Sequence, residues 1–94
     1  MKHIEFDDAI KLSKLYPNSF QIPSREDLLK LEIGHNVKVC ANDERFWTKI
    51  VEINFETEEL IATVDNKLVK NNIKLNEKVK FHFKNIYSIY HLHC

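Results

Sequence analysis

The chain has 94 residues and no formal net charge, with 14 Lys and Arg against 14 Asp and Glu. That is the length of one domain with one modest core, without the global field that draws a protein to nucleic acid or anionic membrane. At 44% hydrophobic and 30% charged residues it is not a disordered tail, and its two cysteines do not make the disulfide framework of a small secreted domain. Charge is nevertheless uneven along the chain. Residues 1–60 carry eight basic and twelve acidic side chains, and residues 61–94 carry six Lys against Asp65 and Glu77.

The opening Met1-Lys2-His3-Ile4-Glu5-Phe6-Asp7-Asp8 has neither the apolar run of a secretory signal nor the character of a transit peptide, and no stretch reaches the length of a membrane span. The expectation is a cytoplasmic protein, with export by a route lacking a cleaved signal left open. Phe6, Ala9, Ile10, Ser13 and Tyr16 recur at helical spacing and Leu12 and Leu15 widen the stripe, which predicts an amphipathic helix over residues 3–16. Pro17-Asn18 ends it, and Phe20-Gln21-Ile22-Pro23 reads as an extended strap, because the residue before a proline is pushed out of the helical region.

Ser24 is an N-cap that Asp27 can answer three positions later, so a short second helix is predicted over residues 25–31. Gly34, the one glycine, falls between that helix and the first strand, where a backbone conformation closed to other residues is most often needed. From Asn36 the period becomes two. Asn42-Asp43 separates two alternating runs as in a hairpin, a register that places Cys40 opposite Arg45 and Lys38 opposite Trp47. Val37, Val39, Phe46, Thr48 and Ile50 then share one face, and Lys38, Cys40, Arg45, Trp47, Lys49 and Val51 the other. A third strand over 59–64 turns Leu60, Ala62 and Val64 to one side. Residues 68–75 are ambiguous. Val79, Phe81 and Phe83 alternate with Lys78, Lys80, His82 and Lys84 in a clear fourth strand, and residues 85–90 form a last short strand or a tight helical turn.

These elements predict an α+β fold in one domain spanning residues 1–94: an N-terminal amphipathic helix, a strap and a short second helix (1–33) packed on a five-stranded, partly open antiparallel small β-barrel (34–94). Four stretches also resemble a family of small bacterial proteins that is classed as a domain of unknown function: Phe20-Gln21-Ile22-Pro23-Ser24, Leu31-Glu32-Ile33-Gly34-His35-Asn36-Val37-Lys38-Val39, Glu44-Arg45-Phe46-Trp47 and Leu75-Asn76-Glu77-Lys78-Val79-Lys80-Phe81. Members carry a proline-bearing segment, a Gly-Asp-x-Val-Lys start to the barrel, a Glu-Arg-Phe-Trp strand and a late Gly-Asp-x-Val turn and strand. The resemblance spans roughly residues 20–90 and implies a barrel like the Src-homology-three and Tudor folds. The chain departs from the pattern at His35-Asn36 and Asn76-Glu77, and the family implies no catalytic residue.

Two groups of residues are candidates for binding. Trp47 framed by Lys38, Arg45 and Lys49 could stack on a base or receive an acidic peptide, or it could be core beneath the N-terminal helix with the basic stems lying around it. Lys78, Lys80 and Lys84, with His82, form a basic stripe suited to phosphates or simply to solvation and protection of a strand edge. His91, His93 and Cys94 have ligand chemistry, with His82 as a conceivable fourth, but a terminal run of three makes a poor metal site, so no metal and no cofactor is expected. Cys40 and His35 are too poorly aligned along a strand to be a nucleophile and its base, and one glycine cannot build a phosphate loop. The expected function is that of a non-catalytic interaction module recognising a protein partner, with nucleic-acid binding through Trp47 and the lysine stripe as the alternative. No membrane association is expected, and oligomeric state is not legible.

Overall fold

The alternating segment from Asn36 onward forms a five-stranded antiparallel sheet in the order β4-β3-β2-β1-β5, seen in a computed structural model that describes residues 4–16 and 22–90. Its strands are β1 (Asn36–Ala41), β2 (Glu44–Asn54), β3 (Glu59–Val64), β4 (Lys78–His82) and β5 (Ser88–Ile89). Asn42 and Asp43 both take positive φ, 52° and 64°, the two-residue hairpin whose twist matches that of the strands it joins. The register is the expected one, Cys40 opposite Arg45 and Lys38 opposite Trp47. A bulge between Ile50 and Glu52 then shifts it, so that Ile53 pairs with Leu60 and joins the inner side.

That inner side is the core. Val37, Val39, Phe46, Ile50, Leu60 and Val79 are all within 1% of complete burial, and the one polar member, Thr48, donates its hydroxyl to the Val37 carbonyl at 3.0 Å. Among the described residues no ladder joins β4 to β5, which therefore stand as the two edges of an open sheet. A 3-10 turn (Phe83–Asn85) carries the chain from β4 toward β5, replacing the end of the expected fourth strand at Phe83 and Lys84, and of the two forms expected for residues 85–90 the short strand is present at Ser88–Ile89. Phe83 keeps its inward side chain although it has left the strand.

The N-terminal region differs from its prediction. Helix α1 is Ala9–Leu15 and not 3–16, because Asp8 is an N-cap in extended geometry whose carboxylate accepts from the Lys11 N–H. The segment before it is not helical, with the Asp7 N–H donating to the Cys40 carbonyl at 2.9 Å. Consequently Ala9 is buried and Leu12 packs beside it while Ile10, Leu15 and Tyr16 are exposed, so only part of the stripe read from spacing is the face that packs. Phe6 reaches the core from this segment, its ring 5.6 Å from Phe81 and 6.2 Å from Phe46. His3, the Pro17-Asn18 stop, the Phe20-Gln21 part of the strap and the His91, His93 and Cys94 group lie outside the described residues.

Helix α2 (Arg25–Leu29) begins as expected, with the Ser24 hydroxyl accepting from the Asp27 N–H. Gly34 has φ +99° and an added Cβ would meet nothing within 4 Å, so its requirement is conformational, not steric. Gly34→Ala should cost about 1–2 kcal/mol in urea denaturation, with the denaturant slope unchanged; an unaltered midpoint would show that the turn relaxes to negative φ.

Candidate functional site

The outer side of the sheet is divided between a covered end and an open end. Ala9 and Leu12 of α1, with Ile22, pack against Cys40 and Tyr87, which buries Cys40 although its position in β1 points outward. Tyr87 crosses there because its N–H donates to the Lys38 carbonyl at 2.8 Å. Arg45, opposite Cys40, lies with its guanidinium 5.2 Å from the centre of the Tyr87 ring. Arg45 is exposed two residues before Trp47 on the same strand face, as expected, with its guanidinium turned to the Tyr87 ring.

At the open end Trp47 is half-buried. The Lys38 ammonium lies 4.9 Å from the centroid of its ring, a cation–π contact, and the ring of Tyr90 stands against it at 5.8 Å and 86°. The strand position is pinned from the far side: the Asn66 side-chain oxygen accepts from the Trp47 N–H at 2.6 Å, and the Asp65 N–H donates to the Trp47 carbonyl at 2.9 Å. Asn36 donates its amide to the Thr48 carbonyl and to the Asp65 carboxylate, each at 3.3 Å. Trp47, Tyr90, Asn36, Asp65 and Asn66 line a cleft of about 270 Å³. Past Tyr90 and Asn36 it adjoins a second hollow of about 390 Å³ against Leu31 and Ile89.

The sheet register joins the second candidate group to the first. Asn36 faces Lys49, Lys49 faces Thr63, and Thr63 faces Lys78, so Lys49 and Lys78 flank Thr63 in a single outward row, one step along from Trp47. Lys80 follows on β4, 3.6 Å from Glu59. Lys84 does not continue the stripe. It lies in the 3-10 turn, its N–H donating to His82 Nδ1, and lines a different hollow with Arg25 and Glu58.

Burial pushes the Cys40 thiol above its ordinary value, helped by the neighbouring Asp7 carboxylate, and burial likewise raises Tyr87, with Cys40 adding to it. Such a thiol is held protonated, the opposite of an activated nucleophile. His35 is not its base: its Nδ1 accepts from the Glu32 N–H, and its side chain is exposed. Among the described residues no group of three His, Cys, Asp or Glu side chains is placed to hold a metal ion, and no helix is long and apolar enough to cross a membrane.

Sequence reading located Trp47, Lys38 and Lys49 and missed Tyr90, Asn36, Asp65 and Asn66. Asp65-Asn66 carried only a turn signal, and Tyr90 is brought to Trp47 by the β1–β5 pairing of Val37 with Ile89 and Lys38 with Ser88, a contact that no local pattern announces. No family model, curated protein or solved structure matches the chain.

Proposed function

We propose that this chain is a non-catalytic interaction module whose docking surface is the open end of the outer sheet face around Trp47. The observation that carries the reading is the right-angled Trp47–Tyr90 pair beside a cleft with polar walls, since an aromatic anchor set among satisfied polar groups is the usual centre of a recognition surface. On this reading the curved sheet works as a partly open small barrel, the 3-10 turn spanning the gap between its edges. In its first form the reading has a protein partner, with an acidic segment that meets Lys38 and Lys49. A cytoplasmic setting belongs to the same proposal, because Cys40 is not in a disulfide and needs no oxidising compartment. A second reading, nucleic-acid binding, is favoured by one observation: Lys49 and Lys78 share a row beside Trp47.

The chain's one tryptophan makes the test direct. In ¹⁵N-labelled protein its indole N–H gives one signal, which should shift or broaden in clarified cell extract. Loss of that effect after protease treatment identifies a protein partner, and loss after nuclease treatment a nucleic acid. A partner that binds equally well to Trp47→Ala and leaves the indole signal in place would refute the docking surface.

A further inference from the structure

We infer that the Trp47–Tyr90 cleft takes one unpaired base of a single-stranded nucleic acid, with neighbouring phosphates held by Lys38, Lys49 and Lys78. The inference rests on the Trp47 docking surface of the interaction-module reading and develops its second, nucleic-acid form in place of the acidic protein partner. Two aromatic rings at 86° form a corner in which a flat ring that lies on one turns its own edge to the other, and stacking of this kind accepts any base. The cleft walls add hydrogen-bonding groups of a particular kind. Asp65, exposed at its mouth, is an acceptor whose Oδ2 takes the 3.3 Å bond from Asn36. Every base carries N–H groups on its edge, and these suit a carboxylate.

The same carboxylate separates the two anionic partners. An acidic peptide drawn to Lys38 and Lys49 would bring its own carboxylates toward Asp65, where like charges repel. A nucleotide divides its chemistry as the face does, N–H donors and a π surface for the cleft and negative phosphate for the lysines. Lys38 and Trp47 face each other, Lys49 is two residues further along the same strand face, and Lys78 lies two strands away from Lys49, roughly 10 Å. A duplex cannot offer an unpaired base face to the corner, so the strand is single. Because the chain has no net charge, attraction is local and binding salt-sensitive.

The probes are mixed-sequence single strands of about twelve nucleotides, inside the range that small single-strand-binding folds cover, in deoxy and ribo form, with the matching duplex and poly-L-glutamate alongside. Binding is read by anisotropy of the labelled strand and by Trp47 emission between about 50 and 200 mM salt. One or both single strands should bind and quench Trp47, with a log–log salt slope of roughly −2 for three lysine–phosphate contacts; the deoxy and ribo arms decide whether DNA or RNA is preferred. Lys49→Glu with Lys78→Glu should weaken binding at least about tenfold and flatten the slope by roughly 1.4. Asp65→Ala is the deciding variant. Electrostatics alone predicts tighter binding when an acid is removed, whereas loss of a base contact predicts binding weaker by roughly threefold or more. These three side chains are exposed, so the variants should fold, as thermal melting would verify. Strand binding with Trp47 silent, an Asp65→Ala variant that binds as well or better, or equal affinity for duplex would overturn the inference. A response of Trp47 to polyglutamate and not to the strands would overturn it while leaving the module reading with an acidic protein partner. No binding to any probe would also overturn it, and the extract experiment would then judge the module reading by itself.

Discussion

Asn85→Ala should destabilise the fold by about 2–4 kcal/mol, a large part of the roughly 5–15 kcal/mol available to a domain, and should loosen the N-terminal segment first. Asn85 is buried at 6% exposure. Its Oδ1 accepts from the His82 N–H at 2.8 Å, and its Nδ2 donates to the Phe6 and Asp7 carbonyls at 3.3 and 3.1 Å. One amide therefore closes the 3-10 turn and ties down the chain that carries Phe6 into the core and α1 over Cys40. Alanine leaves a backbone donor without its partner and removes the tie at once. The readout beyond a melting curve is the thiol. In a Cys94→Ser background, Cys40 should react with a disulfide reagent much faster in Asn85→Ala than with Asn85 intact. Asn85→Asp keeps the acceptor for His82 but sets a carboxylate against two carbonyls, so it should release the thiol while sparing the turn. Unchanged Cys40 reactivity in both variants would mean that the segment is held by Phe6 packing alone.

That role was not legible, and the reason is physical. Asn85 acts on residues nearly eighty positions earlier, and the segment it holds imitates a helix. The spacing of Phe6, Ala9, Ile10, Ser13 and Tyr16 is helical, yet Asp8 caps a helix that begins only at Ala9, and the Asp7 N–H is drawn to the Cys40 carbonyl. What could be read was local. Alternation set the faces of β1, β2, β3 and β4, Asn42-Asp43 set the hairpin, and Gly34 marked a positive φ. Once the hairpin register was known, Lys38 had to face Trp47. The remainder of the cleft depends on the β1–β5 pairing and on the turn after β3. The Tyr87 ring beside Arg45 was hidden for the same reason, since Tyr87 arrives through its bond to the Lys38 carbonyl. Lys84 was misplaced because the chain turns at Phe83 while its burial pattern continues.

The ambiguous stretch after Leu68 is organised from a distance as well, and it gives the clearest pH prediction. Glu44, at the start of β2, accepts from three successive backbone N–H groups through its two oxygens: Val69 at 2.7 Å, Lys70 at 2.9 Å and Asn71 at 3.1 Å. The Asn71 side chain adds a bond at 3.0 Å to Glu44 and another at 2.9 Å to the Ala41 carbonyl. Consecutive N–H groups converging on one anion form a nest, here filled by the protein's own carboxylate, and the loop it shapes sets Ile73 into the core. The Val69 bond, then those of Asn71 and Lys70, hold Glu44 below its ordinary value of 4.5, against the opposing effect of burial. A carboxyl depressed in the folded state contributes stability that is fully present above its unfolded value and is lost as pH falls through its folded value. Glu44→Gln, which offers one acceptor oxygen and turns an NH₂ toward the donors, should therefore lower the melting temperature by a constant amount above pH 4.5, with the gap to the parent closing below it. Glu58, also depressed, by its bond to Arg25, titrates in the same acid window, and the difference between parent and Glu44→Gln cancels it because both proteins retain that pair. A gap of the same size at acid and neutral pH would show that the loop is held by Asn71 and the burial of Ile73, with the Glu44 charge making no contribution.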